Sequence, residues 1–289
     1  MSGLATRYVG GATAEEAVAT AQRLAERDIR SSLFYLGEYV DSDDLVAENV
    51  GALKEVCGRL AETELDLHIS VDPTQVGCAM DWDQGAEAVM ALGDGVRAAA
   101  GNRPGVHCLM LDMEDFSVNE RTLALHGALR AAGAPAAQTL QAYLKKTMGD
   151  MDALIQQGAK VRLVKGAFAA PPSISFATHA EIKANYKALI DRMLSPDALE
   201  SGFYPIFGTH DHTLHQYAIE TARRVGWPQG AYEFEMLYGA RPDVADALAA
   251  AGERIRLYLP FGRDWWPYAV RRVGENPGSA ILLARSLMN

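Results

Sequence analysis

Short, nearly continuous apolar or β-branched runs alternate along the chain with longer stretches in which apolar residues return every three or four positions. The first pattern reads as strand, the second as amphipathic helix. Eight strand runs can be marked: Ser31–Leu36 (SSLFYL), Leu65–Val71 (LDLHISV), His107–Asp112 (HCLMLD), Thr139–Tyr143 (TLQAY), Val161–Lys165 (VRLVK), Pro205–Thr209 (PIFGT), Tyr232–Met236 (YEFEM) and Ile255–Leu259 (IRLYL). Several are apolar on both faces, as parallel strands covered on each side must be. Eight strand–helix pairs predict an α/β fold, a (β/α)8 TIM-type barrel; an open doubly wound sheet is the alternative.

Helix starts can be read from their caps. Thr13-x-x-Glu16, Ser117-x-x-Glu120 and Thr178-x-x-Glu181 each place a hydroxyl and a carboxylate where a capping box needs them. The first opens a predicted helix, Ala14–Asp28, ahead of the first strand. The expected organisation is therefore an N-terminal helix within residues 1–30, then eight βα units over 31–289, as one barrel domain. No repeat or Pro/Ser-rich linker breaks the chain, and the AAPP run at Ala169–Pro172 reads as a loop.

Composition narrows the function. The sum of 27 basic and 37 acidic residues is −10, which argues against a nucleic-acid partner held through phosphates. Cys57, Cys78 and Cys108 form no Cys-x-x-Cys pair and read as buried thiols of a reducing compartment. With no leader pattern and no apolar run of about 18 residues, a cytoplasmic protein, at most peripheral to a membrane, is expected.

In such barrels the chemistry sits at the carboxyl ends of the strands. Polar residues there are Glu38, Asp72, Asp112, Glu114, Asp115, Gln141, Arg162, Lys165, Thr209, His210, Asp211 and Tyr258. Arg162 and Lys165, three apart in an apolar strand, point to opposite faces. Either each pairs with carboxylates of neighbouring strands, or Arg162 faces the mouth and steadies negative charge while Lys165 and Gly166 meet a phosphate. His210, His212 and His215 invite a metal reading, but no later histidine completes a ligand set. Asp211 as a helix N-cap would leave His212 and His215 on the helix surface, so no metal is expected. Tyr268, Arg271 and Arg272 share a helix face that could grip a carboxylate with two guanidinium forks, unless the arginines are simply solvated. Gly93-x-Gly95 lacks the third glycine of a dinucleotide fingerprint.

The ordered motifs VRLVKGAF (161–168), GTHD (208–211), YEFEMLYG (232–239), YLPFG (258–262) and YAVRR (268–272) resemble those of the proline dehydrogenases, FAD-dependent enzymes with a distorted (β/α)8 barrel. LDMED (111–115) and LQAY (140–143) fall where that family carries a strand-three aspartate and a strand-four glutamine. The resemblance implies catalytic roles for Asp112 and Arg162, with Arg162 beside the flavin N5. It implies FAD contacts by Met113, Gln141, Lys165, Gly166, Ala167, Thr209 and His210. It implies substrate contacts by Arg271 and Arg272 at the carboxylate and by Leu237, Tyr258 and Tyr268 around the ring, with Glu275 in support. The implied reaction moves hydride from the carbon beside a secondary amine to flavin N5, and for L-proline gives Δ1-pyrroline-5-carboxylate, with electrons passing to a quinone or another acceptor.

Two positions depart from the family pattern. Where it has Ser-Val-Lys-Leu-Thr-Gln-Leu-Gly after strand two, this chain has SVDPTQVG, with Asp72 in place of a lysine that pairs with the strand-one glutamate, here Glu38. That substitution predicts weaker proline binding or a substrate with an extra positive charge, unless Pro73 turns Asp72 to solvent. Phe168 stands where tyrosine is common. The rival readings are a metal-dependent barrel hydrolase using His210 and His212 and a non-catalytic ligand-binding relative.

Overall fold

The computed structural model describes the backbone of residues 5–37 and 40–275 and the side chains of 7–37 and 40–270. Eight parallel strands close in sequence order: β1 Ile29–Tyr35, β2 His68–Val71, β3 Cys108–Leu111, β4 Ala136–Gln141, β5 Lys160–Val164, β6 Tyr204–Gly208, β7 Glu233–Leu237 and β8 Ile255–Phe261. The first and last strands pair in register from Ile29 with Ile255 to Tyr35 with Phe261, which excludes the open sheet. Every expected run contains a strand. The largest boundary shifts are three residues, at the start of β2 and of β4.

The helix ahead of the barrel spans Ala14–Ala25, opened by Thr13, whose hydroxyl accepts from Glu16 N at 3.2 Å. It stops three residues earlier than expected, and Asp28 turns the chain into β1 at φ 56°. Thr178 and Glu181 form a complete capping box. The expected box at Ser117 does not form: Asp115 accepts from Ser117 N at 3.0 Å and winds a 3-10 turn, Phe116–Val118. The following helix, Asn119–Ala131, then starts without a side-chain cap. A short helix at Ala5–Tyr8 carries no sequence signal of its own.

Between strands and helices lies a dry shell in which Leu33, Leu53, Val56, Leu109, Val161 and Leu189 are wholly buried, each stabilising the fold by about 1.5–3 kcal/mol. The barrel interior is divided. One side is apolar, lined by Cys108, Met110, Ala137 and Ile206. The other is polar, with Ser32, His68, Ser70, Arg162, Glu233, Glu235 and Arg256 all buried. Arg256 survives there because its fork is matched: it donates to Glu233 Oε1 at 2.7 Å, Asp66 Oδ2 at 2.7 Å and Ser31 O at 2.9 Å. The three cysteines are free and buried, as expected.

Candidate active site

The carboxyl ends of the strands open into a cavity of about 330 Å³. Asp72, Asp112, Met113, Glu114, Arg162, Phe168, Thr209, His210, Leu237, Tyr258 and Tyr268 line it, so the structure brings together eleven residues that the sequence singles out. At its floor is Arg162, 4% exposed, held on β5 with its side chain inward. Its Nε donates to Thr139 Oγ1 at 3.1 Å, and one terminal nitrogen donates to Glu235 Oε1 at 2.5 Å and Ser70 Oγ at 3.3 Å. The other terminal nitrogen pairs with Asp112. The two alternatives for this arginine are thus one arrangement: it is paired with carboxylates and it faces the mouth.

Asp112, just past β3, also accepts from the Tyr258 hydroxyl at 2.8 Å. The Tyr258 ring lies 5.2 Å from the Arg162 guanidinium carbon and 5.2 Å from the Phe34 ring, so a cation and a second aromatic both pack against it. Burial pushes the Asp112 carboxyl above its ordinary value despite the pull of Arg162 and the Tyr258 hydrogen bond. Burial, and then the charges of Asp112 and Asp72, hold the Tyr258 phenol well above its usual range. Asp72, half-buried, lines the cavity, and Pro73 opens the 3-10 turn Pro73–Val76 that follows it. Glu114, also on the wall, receives Thr74 N at 3.0 Å, and burial raises its carboxyl too.

Gln141, at the end of β4, stands behind the wall and donates to Met113 O at 3.1 Å and Glu114 O at 3.2 Å. Its Oε1 is buried without a partner, an acceptor left for a bound group. Past β5, Gly166 has φ 93°, and a Cβ there would fall 2.1 Å from the Tyr143 ring, so this turn brings bare backbone to the surface as phosphate recognition requires. Lys165 is half-exposed, 3.6 Å from Asp211, and Ala167 is exposed. A glycine cradle and a lysine past β5 fit the phosphates of a cofactor, and the orphaned Gln141 acceptor fits an N–H donor of one.

The histidines divide differently from expectation. Asp211 caps the helix His212–Val225 through Thr213 N at 3.0 Å, as expected. His210 Nε2 accepts from Leu237 N at 2.9 Å, and His212 is exposed. His215, however, is 3% exposed rather than on the helix surface, because the helix turns that face inward and Nε2 meets Thr209 O at 2.8 Å. Among the described residues, the only group of three metal-type ligands is His68, Glu233 and Glu235, inside the barrel and apart from His210 and His212. Glu38 lies outside the described residues, and Arg271, Arg272 and Glu275 fall in the part of the helix Trp265–Glu275 past residue 270, where side chains are not described. Sequence reasoning missed Glu235, Ser70 and Thr139; the alternation of Glu233 and Glu235 in YEFEM was the available signal.

A closed parallel barrel with a caged arginine at its carboxyl mouth defines a barrel enzyme with its site at that end. The chain belongs to the proline dehydrogenase family, whose model, "Proline dehydrogenase", matches residues 17–284. It is 31% identical over 290 residues to a proline dehydrogenase of Deinococcus radiodurans, covering 100% of this chain and 91% of that one. It is 28% identical to proline dehydrogenase 1 of Bacillus subtilis subsp. natto, covering 98% and 90% respectively. Among solved structures it is similar to proline utilization A (PutA) of Bdellovibrio bacteriovorus inactivated by N-propargylglycine, with TM-score 0.80 and 23% identity. That likeness covers 95% of this chain and 32% of the larger one.

Proposed function

We propose that this protein oxidises L-proline to Δ1-pyrroline-5-carboxylate with FAD as cofactor. The observation that carries the reading is Arg162, buried at the cavity floor between Asp112 and Glu235, with Tyr258 over it. FAD, when bound, supplies the two-electron acceptor for hydride from the carbon next to the substrate nitrogen. Met113, Gln141, Lys165, Gly166, Ala167, Thr209 and His210 would hold it, with Arg162 offering positive charge where negative charge builds up. Leu237, Tyr258 and Tyr268 wall the substrate ring, and Arg271 and Arg272 hold its carboxylate. The acidic wall of Asp72, Asp112 and Glu114 attracts the ammonium form of the substrate and excludes a second anion. Asp72 loosens the grip on the carboxylate relative to the lysine of the family pattern, which raises KM for proline and favours substrates with an added cation. Electrons leave to a quinone or a comparable acceptor at a membrane surface; no helix among the described residues is long and apolar enough to cross one.

The test is direct. The purified protein should be yellow and should bleach when L-proline is added without oxygen; a colourless preparation, or a yellow one that proline analogues also fail to reduce, refutes the assignment. Arg271→Ala should raise KM more than it slows flavin reduction at saturation, and equal loss in both would contradict a substrate-gripping role.

A further inference from the structure

Three consecutive strands bring side chains to one level at the cavity floor. Thr139 and Arg162 are register partners on β4 and β5, and Gln138 pairs with Leu111 at the end of β3, which puts Asp112, the next residue, beside Thr139. Thr139, 3% exposed, therefore stands between the arginine and the aspartate. Its hydroxyl reaches both: Oγ1 accepts from Arg162 Nε at 3.1 Å and donates to Asp112 Oδ1 at 3.4 Å. An oxygen that accepts from a guanidinium must turn its own proton elsewhere, and Asp112 is the acceptor the structure gives it. Packing alone does not call for a hydroxyl at this position. Ala137, two residues earlier on the same face, lines the apolar side of the interior, and valine has the same shape as threonine.

Every N–H of Arg162 but one has an acceptor among the described residues. Nε gives its proton to Thr139, Nη1 gives one to Glu235 Oε1 at 2.5 Å and one to Ser70 Oγ at 3.3 Å, and Nη2 gives one to Asp112. The N–H left over is on Nη2, the nitrogen that meets Asp112. On the aspartate, Oδ1 takes the arginine and the threonine, while Oδ2 takes the Tyr258 hydroxyl at 2.8 Å. A carboxylate beside an arginine otherwise favours two parallel N–H bonds, and Nε together with Nη2 would supply them. The Thr139 hydroxyl occupies Nε and so closes that arrangement.

We propose that Thr139 is a positioning residue for the catalytic pair. By holding Nε, its hydroxyl limits Asp112 to a single N–H of Nη2, which keeps Asp112 Oδ2 on Tyr258 and leaves the second N–H of Nη2 for negative charge that builds up on the bound flavin. Without the hydroxyl, Nε would be a buried donor with no acceptor, which is costly. Asp112 then turns to take both Nε and Nη2 and releases Tyr258, which lines the cavity. The catalytic consequence rests on the proposed function; the hydrogen-bond arrangement does not.

Thr139→Val and Thr139→Ser in the flavin-loaded protein, alone and combined with Tyr258→Phe, test it. Thr139→Val should lower kcat/KM for L-proline about tenfold, the scale of one hydrogen bond, and Thr139→Ser should restore it to within about threefold. In the Tyr258→Phe background, Thr139→Val should cost less than about threefold more, because the contact it protects is already gone. A full further tenfold loss, or Thr139→Ser behaving like Thr139→Val, overturns the proposal. Heteronuclear NMR reads the same arrangement without turnover. The Arg162 Nε–H, identified by its loss in Arg162→Lys, should be protected from exchange at one position in wild type and Thr139→Ser and displaced in Thr139→Val. An undisplaced resonance in Thr139→Val overturns the proposal whatever the substrate is. A displaced one without proline oxidation supports the arrangement and refutes the proline assignment instead. Should Thr139→Val not fold, Thr139→Ser against Thr139→Ala, small side chains with and without the hydroxyl, decides by the same readouts.

Discussion

Replacing Arg162 by methionine keeps much of the side-chain volume and strips the cation from a pair that is 5% exposed at the arginine and 13% and 3% at Asp112 and Glu235. Removing one partner of such a buried pair costs about 3–5 kcal/mol. Packing of the methionine offsets about 1–2 kcal/mol, which leaves a net loss of about 1–4 kcal/mol. For a domain of this size that lowers Tm by roughly 2–16 °C. The loss should depend on pH, with a fixed sign. Asp112 and Glu235 already sit above their ordinary values through burial, and without Arg162 they rise further. A carboxyl whose folded value exceeds its unfolded one leaves stability intact below the unfolded value, about 4, and removes it as pH rises through the folded value. Arg162→Met should therefore be more destabilised, relative to wild type, at about pH 8 than at about pH 5. Urea unfolding followed by circular dichroism at both pH values measures this. Equal midpoints for the two proteins, or a larger loss at the acid end, would refute the reasoning.

Three further outcomes are expected. Tyr258→Phe deletes the hydroxyl that Asp112 accepts at 2.8 Å, and kcat/KM for proline should fall about tenfold, equivalent to about 1.4 kcal/mol; an unchanged value would show that the hydroxyl is idle. Gly166→Ala forces a side chain into φ 93° and against the Tyr143 ring, so the purified variant should carry less flavin per chain by absorbance, and full occupancy would remove Gly166 from the cradle. Asp211→Ala removes a helix cap worth about 0.5–2 kcal/mol. Hydrogen bonds from Lys183 and Thr213 hold Asp211 below its ordinary value despite some burial, so the gap from wild type in thermal melts should be present near neutral pH and close as pH falls below about 4.

The barrel was legible in the sequence because each strand is a β-branched or apolar run with turn residues at its ends, and eight of them in series have few other ways to close. The start of β2 was not. Leu65–Leu67 alternates like strand, but Leu67 N donates to His107 Nδ1 at 2.9 Å and Asp66 is drawn to Arg256, so these residues serve the barrel floor instead. Arg162 was legible because a cation in an apolar strand is costly unless matched. Its partners were less so, since Ser70 and Glu235 come from β2 and β7 and a linear chain does not show which inward residues share a level. His215 was misjudged for a similar reason: helix periodicity gives the faces but not which one meets the sheet, and that was set by Thr209 O and Phe234, whose ring is 5.0 Å from the imidazole.

The seam between β1 and β8 also bears on how the molecule is made. It is seven residue pairs long and joins segments from near the two ends of the described chain. No nascent chain lacking β8 can form that ladder, and until it forms, β1 presents an open edge to other molecules. The closing contacts are thus among the most distant in sequence, which slows folding and delays completion of the barrel until synthesis has passed Phe261. A truncation within β8 should therefore yield aggregation rather than a smaller working enzyme.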